Sequence, residues 1–499
     1  MSIASVFGIE NTVFFVGGRG TKAGDASAGG GCTKGFWGDL KNPSKSLSDV
    51  MDVNGEPLSD ASSWGGAGTA CTVTESAAGN VLITKAGAFA NVSALLVANA
   101  NFAAVYNDGR YRVNAASLTN DTIELELTWS ANVTCDVKVG GAFEKLQTAL
   151  DDTTADWPLT PHNVDILTNK AESFSSTSDQ IDVDTGGGSG SYGTYKRIIG
   201  IDDDGAELTE SSYVLFDGNG QSCHVFKILN VQCIEFRHVH AGNTAATHYG
   251  FYYTATGYCQ GLLLRDCKST GCKYGVYSDT FYIRGISIIG GHYSSATGPA
   301  LYFAGCRWIN VLGVKLVGSL AGALIDGDVI GTLLVDGCVF RKTGNYGLGI
   351  YSNNWDTFLV IRNCVFYDID YCIEIADPES RLVQYNNIFI LHTAATGKVI
   401  NRASGAIKYS DYSCAWAIDG APVASGRWGG TGLPEHSIEQ DPQFVDADNG
   451  DFRPRNPNVL RGGKPDIADN ETEMGAVLQK YQFARRAKAA NPGRLQIMR

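Results

Sequence analysis

The stretches "GTLLVDGCVF" (331–340) and "DTFLVIRNCVF" (356–366) both set apolar residues at alternate positions, then two polar or small residues, then Cys, Val and Phe. Alternation with period two marks a half-buried strand, and a near copy one stretch later marks a structural repeat. With the apolar residue three places before the Cys as marker, the repeat runs through Phe236, Leu264, Ile288, Val311, Val335, Ile361 and Tyr385, at intervals of 28, 24, 23, 24, 26 and 24 residues. Three places after each marker stand Val239, Cys267, Gly291, Val314, Cys338, Cys364 and Ile388, residues that stack inside a narrow interior. Half a repeat downstream a second column of short alternating strands begins at Gly250, Gly275, Pro299, Gly322, Gly347, Cys372 and Lys398. No helical periodicity lies between the columns. The pattern predicts a coil of short parallel strands over 161–430, with neighbouring coils paired through their backbones.

The flanks follow other rules. "NTVFFVGG" (11–18) reads as an opening strand within 1–23. The next segment, 24–139, starts Gly- and Ser-rich and then alternates at 80–85, 111–115, 122–129 and 133–139, with a hairpin signal "NDGR" at 107–110, so it predicts a small inserted antiparallel module. "GGAFEKLQTALDD" (140–152) places Ala142, Phe143, Leu146, Ala149 and Leu150 on one helical face and predicts a cap helix within 140–160. Such a cap covers the apolar interior and strand edges that a first coil leaves open. A closing segment, 431–478, and a tail, 479–499, with five Lys or Arg between Arg485 and Arg499 complete the chain. A basic tail on an acidic protein is either a docking tail or a solvated terminal helix.

Composition narrows the function classes. Of 499 residues only 18% are charged, while 60 are Gly and 13 are Pro, a profile of short strands and tight turns. The net charge of −13 argues against a nucleic-acid partner, whose phosphates need an excess of Lys and Arg. The 13 Cys are odd in number and sit in apolar runs such as "NVQCIEF", which reads as small buried hydrophobes and not as a disulfide framework. The start "MSIASVFGIENTVFFVGGRG" has no basic n-region and carries Glu10, so no secretory signal is expected. No apolar run reaches the length of a membrane span, so no membrane insertion is expected.

The repeat from about Tyr195 to Phe389 resembles the right-handed parallel β-helix, or pectin-lyase-like, proteins. "QDPQFVDADNGDFRPRNPNVLRGG" (440–463) with "EMGA" (473–476) is similar to that group's closing segment, and the 140–152 helix resembles its N-terminal cap. The group includes polysaccharide lyases, glycoside hydrolases, and bacteriophage tailspikes and fibres. The resemblance implies an all-β solenoid, the right-handed parallel β-helix, and is weak for activity.

Enzymes of this shape need outward carboxylates, paired for work on a glycosidic bond or holding Ca²⁺ beside a basic residue for β-elimination. Asp326, Asp328, Glu374 and Asp377 are the weak catalytic candidates, Glu374 lying between inward Ile373 and Ile375, with Asn353 expected one coil before it. The lyase pattern of clustered Asp with nearby Arg and Lys is absent, and no metal site is assigned. Carboxylates near Gly in "GIDDDGAE" (200–207) and "DADNGD" (446–451) leave Ca²⁺ open, although a structural turn is the favoured reading of the second. His238 and His240 flank inward Val239 and are both read as surface residues, with a metal-ligand pair the minor alternative. Tyr252, Tyr277, Trp308, Tyr351 and Trp355 fall around the second strand of each coil and the turn after it, and mark either a sugar-stacking groove or a subunit interface.

The leading expectation is a non-enzymatic structural or surface protein of a virus particle, such as a phage fibre, spike or capsid-surface protein. By the same analogy it is a homotrimer at the virion surface, with other assembly proteins and a surface polysaccharide as partners. The alternatives are a carbohydrate-active enzyme and a carbohydrate-binding adhesin, and an extracellular location is the alternative to the virion.

Overall fold

The computed structural model describes residues 12–16, 71–87, most of 94–142, 146, 147, 150, 164–184 apart from 170, 195–201, 207–209, and 212–462 with short gaps that include 319–324, 342–345 and 351–356. The chain is all-β, a right-handed parallel β-helix with a small antiparallel sheet near the N-terminus and one short helix, Pro457–Arg461, near the C-terminus. It divides into two compact units.

In the first unit the opening strand Thr12–Val16 pairs in parallel with Val164–Thr168, which pairs in turn with Lys196–Gly200. The six-stranded antiparallel sheet follows the order 109–112, 94–102, 133–142, 71–75, 80–84, 122–128. Its alternation is the reason it folds: Val73, Val81, Ile83, Ile123 and Leu125 are fully buried, while Thr72, Glu126 and Thr134 on neighbouring positions are not. The predicted strands at 80–85, 122–129 and 133–139 are present, and the hairpin joins Ala94–Phe102 to Gly109–Arg112. Strands Cys71–Glu75 and Ala94–Phe102 are additional to those predicted. Of the cap helix, Leu146, Gln147 and Leu150 are described as helical, with Leu146 and Leu150 buried. Ala142 ends a strand opposite Ala94, and Phe143 and Ala149 lie outside the described residues.

In the second unit three strands per coil build three parallel sheet faces. Strands 249–254, 274–278, 346–350, 371–375 and 398–402 and the first halves of 301–312 and 325–336 form one face. Strands 259–265, 283–289, 357–362, 381–385 and 406–411, with the second halves of 301–312 and 325–336, form the next. The third runs through 268–272, 292–295, 315–317, 339–341, 365–369, 388–391 and 414–417. Inside, like stacks on like: Phe340, Phe366 and Phe389 form a ring column with centroids 4.3 and 5.1 Å apart.

A tight turn between the second and third faces explains the small or polar residue before each Cys. Asp266, Gly290, Gly313, Gly337, Asn363, Asn386 and Tyr412 all have positive φ there. Asn, Asp and Gly are the residues that accept this left-handed conformation. At Gly291 the demand is also steric, since a Cβ would strike the Cys267 carbonyl.

The register corrects parts of the predicted columns. Leu264, Ile288, Val311, Val335 and Ile361 pair in succession, but the partner of Ile361 is Gln384, and Tyr385 pairs with Arg362. A fully buried polar group, Gln384, Asn387 and Ser413, occupies the interior at the last coils. Asn387 donates to Gln384 Oε1 at 2.8 Å and to the Ile361 carbonyl at 3.1 Å, and its Oδ1 accepts the Cys364 N–H at 2.9 Å. Ile388 accordingly sits beside Val365 on the outer side, not in the Cys column. In the second column Ala300 and Val399 take the places read as Pro299 and Lys398. The 12 described cysteines, all but Cys32, are buried thiols that form no disulfide, as their apolar settings require.

Candidate functional site

The first face carries a continuous row of alternate positions that reads Asp182, Lys227, Tyr252, Tyr277, Tyr302, Asp326, Gly349, Glu374 and Asn401. Four of the sequence-derived candidates, Tyr252, Tyr277, Asp326 and Glu374, therefore share one line along the coil axis. Asn353 is not the residue before Glu374 in that line; Gly349 is. Asp377, Tyr351, Trp355 and Asn353 lie outside the described residues, and of Asp326 and Asp328 only the backbone register is described.

Tyr277 and Tyr302 of this row stack on each other and on Tyr249 and Tyr274, which pair three residues earlier on the same strands as Tyr252 and Tyr277. Tyr277 lies 5.1 Å from Tyr302 at 12° and 4.2 Å from Tyr249 at 23°, and Tyr274 lies 5.1 Å from Tyr249 and 5.5 Å from Tyr302. His224 extends the array against Tyr249 and Tyr252. Ring faces that cover one another leave hydroxyls and edges at the surface. Burial raises the Tyr277 and Tyr252 hydroxyls above the usual phenol range, so both remain donors near neutral pH. Tyr252 donates to Asp279 at 2.9 Å.

Open aromatic faces stand on the next turn. Tyr258 is 67% exposed, Tyr282 43% and Trp308 40%. Tyr258 and Tyr282 meet edge to face at 5.5 Å, and the Arg284 guanidinium lies over Tyr258 at 4.8 Å and near Trp308 at 5.7 Å. Gln260, Arg284 and Arg307 are register partners. Among the described residues neither arginine pairs with a carboxylate, and Nε of each is buried without a hydrogen-bond partner. Aromatic faces with interleaved guanidinium donors form a surface able to stack a pyranose ring and hydrogen-bond its substituents. Trp308 was legible from the sequence, whereas Tyr258 and Arg284 were not. Their signal is an aromatic residue a few places before a positive-φ glycine, Gly261 after Tyr258 and Gly285 after Tyr282.

At the far end of the row Glu374 is half-buried between inward Ile373 and Ile375, and burial raises its carboxyl while Asn401 and Lys398 pull it down. Its position is two strands from Asp326, about 10 Å at the backbone.

No group of three or more His, Cys, Asp or Glu gathers as a metal site among the described residues. In the 446–451 turn Asp446 accepts the Asn449 side chain at 2.8 Å and Asp451 holds Arg453, so both carboxylates serve the hairpin between 444–446 and 451–454. His238, read as a surface residue, is buried, with Nε2 3.6 Å from Glu207. His240 is half-buried and bonded to Thr270 at 2.8 Å.

No family model matches the chain, and no curated protein matches it. Among solved structures it is similar to pectate lyase Pel9A, at 12% identity over 67% of this chain and 91% of that one, with a TM-score of 0.35. At that level of likeness nothing about activity is transferred.

Proposed function

We propose that this chain is a non-enzymatic surface protein that holds a polysaccharide on the exposed aromatic edge formed by Tyr258, Tyr282 and Trp308. The observation that carries the reading is the placing of Arg284 over Tyr258 and beside Trp308, at an edge where, among the described residues, large aromatic faces stay open on successive coils. Large exposed aromatics usually mark a contact surface. Titration against a panel of neutral and acidic polysaccharides tests it: at least one binds, and alanine at Trp308 or Tyr258 weakens that binding tenfold or more. Binding unchanged by both substitutions would remove the reading. The virion setting and the trimer rest on the sequence resemblance. They are tested by the protein's presence in purified particles and by its mass in solution.

A second reading, hydrolysis of a glycosidic bond, is favoured by the shared row of Asp326 and Glu374. Inverting glycosidases hold two carboxyls about 6.5–9.5 Å apart, with the acid's pKa raised, and Glu374 is the raised carboxyl here. In that case Glu374→Gln abolishes the release of reducing ends.

A further inference from the structure

Arg284 stands directly opposite Arg307 in the parallel register, on successive coils. Their backbones are one strand spacing apart, about 4.8 Å. Like charges placed in this way weaken a sheet, and neither guanidinium has a carboxylate partner among the described residues. The next register positions, Gln260 before the pair and Ile330 after it, are uncharged. The pair therefore costs stability unless an anion lies across it.

The arginines are held in a way that leaves their donors open. The Arg284 guanidinium rests against rings, Tyr258 at 4.8 Å and Trp308 at 5.7 Å. Stacking of this kind fixes the group without using up an N–H. Nε of each arginine is buried and makes no hydrogen bond, while each side chain as a whole is half-buried. What is left to a ligand is the terminal N–H donors, which lie in one plane. A planar carboxylate matches that fork with two parallel hydrogen bonds. A neutral hydroxyl leaves most of it unused.

We propose that the polysaccharide held at Tyr258, Tyr282 and Trp308 carries carboxylates, and that Arg284 and Arg307 bind them directly through these forks, without a bridging metal ion. The proposal rests on the reading of that edge as a glycan site and adds the chemical class of the glycan. Sugar faces lie on the rings while carboxylates neutralise the opposed arginines. Aromatic faces with arginine also hold single-stranded nucleic acid, but such proteins follow the phosphate backbone with a positively charged groove. Here the net charge is −13 and the row is uncharged on both sides of the pair, which favours the glycan. Uronates and ketosidic acids of the sialic type share the carboxylate, and the test separates them.

The test titrates the full chain with alginate and hyaluronate as uronate polymers and polysialic acid as the ketosidic one. Each is used intact and after reduction of its carboxyls to alcohols, beside dextran sulfate and an oligothymidylate, with and without EDTA. Wild type is compared with Arg307→Gln, Arg307→Lys and Trp308→Ala. At least one carboxylated polymer is expected to bind tenfold or more tighter than its reduced form, the tightest naming the source of the carboxylate, and EDTA is expected to change nothing. Arg307→Gln is expected to bind it at least tenfold more weakly and to melt no lower than wild type, because one of two opposed charges is gone. Arg307→Lys, which keeps the charge and loses the fork, is expected to recover only part of the affinity. Equal binding of intact and reduced polymers would overturn the proposal; a loss of that binding in Trp308→Ala would show that the glycan edge itself still stands. Loss in Arg307→Gln without loss in Trp308→Ala would keep the arginine grip and remove the aromatic edge. Binding abolished by EDTA, no binding of any carboxylated polymer, or tighter binding of dextran sulfate would each overturn the proposal. Preference for the oligothymidylate would overturn it too and make the edge a site for single-stranded nucleic acid.

Discussion

Trp308 takes the place on its coil that Gly285 takes one coil earlier, between the paired Arg284–Arg307 and Ile286–Ile309, and both residues have positive φ, 55° and 70°. Gly261 and Gly331 hold the same left-handed conformation in the flanking coils. A bulky side chain in this conformation costs roughly 1–2 kcal/mol relative to the right-handed form. Strain that glycine would relieve, kept at an exposed indole, is what a binding position produces.

Trp308→Gly is therefore expected to unfold in urea at the wild-type concentration or slightly above, with a gain of up to about 1 kcal/mol. The same variant is expected to lose tenfold or more in glycan affinity. A loss of stability larger than 1 kcal/mol would mean that the indole is there for packing.

The buried polar group of the last coils is expected to be sensitive to truncation. Asn387→Ala strands the Cys364 N–H, which costs about 1–3 kcal/mol when left unpaired, and takes one of two donors from Gln384 Oε1, which keeps the Ser413 hydroxyl at 3.0 Å. Urea unfolding should show destabilisation of that order. Cys338→Ala, two coils removed in the same column, is expected to cost less because it removes a small hydrophobe.

The repeat was legible because its turn chemistry is local. Residues such as Asp266, Gly337 and Asn363 must accept positive φ wherever the chain turns tightly, and they announce each coil. The register slipped at Tyr385 because Gln384 and Asn387, polar by sequence, are interior residues that satisfy one another across coils. No local pattern distinguishes a satisfied interior glutamine from a surface one. In the antiparallel module Ala94–Phe102 was hard to read because its alternation, Ala98-Asn99-Ala100-Asn101, is written in Ala and Asn, residues depleted in strands. At the candidate site Trp308 stood out by type, but Tyr258 and Arg284 gain meaning only from the stacking of one coil on the next.

Acid should weaken the fold in a defined window. Burial holds His224 and His240 at about 4 in the folded chain, below the usual histidine value of 6.5, with His248 and Lys227 adding to the effect on the first and Lys268 on the second. The unfolded chain then takes up protons that the folded chain refuses, so stability falls as pH drops from about 6.5 to about 4. Thermal melts across that window should show the fall, and His224→Gln should make it shallower. His392 and His436 act in the opposite sense. Asp368 and Asp411 raise them by hydrogen bonding, so their contribution is full below 6.5 and is lost as pH rises through the raised values.

The closing segment is expected to be indispensable to the outer face that it covers. Phe452 packs with Val339, Val365, Ile388 and Cys414 and meets Tyr367 at 5.1 Å. Phe452→Ala should cost about 3–5 kcal/mol and increase the binding of an apolar dye, as the uncovered row becomes a contact patch.

The most direct measurement is the chain-length distribution of a polysaccharide that the protein binds, taken by light scattering before and after prolonged incubation with wild type. The account predicts a glycan that is retained at Tyr258, Tyr282 and Trp308 and not shortened. A glycan that is shortened by wild type and left intact by Glu374→Gln would contradict it, and would place hydrolysis at the Asp326–Glu374 end of the row.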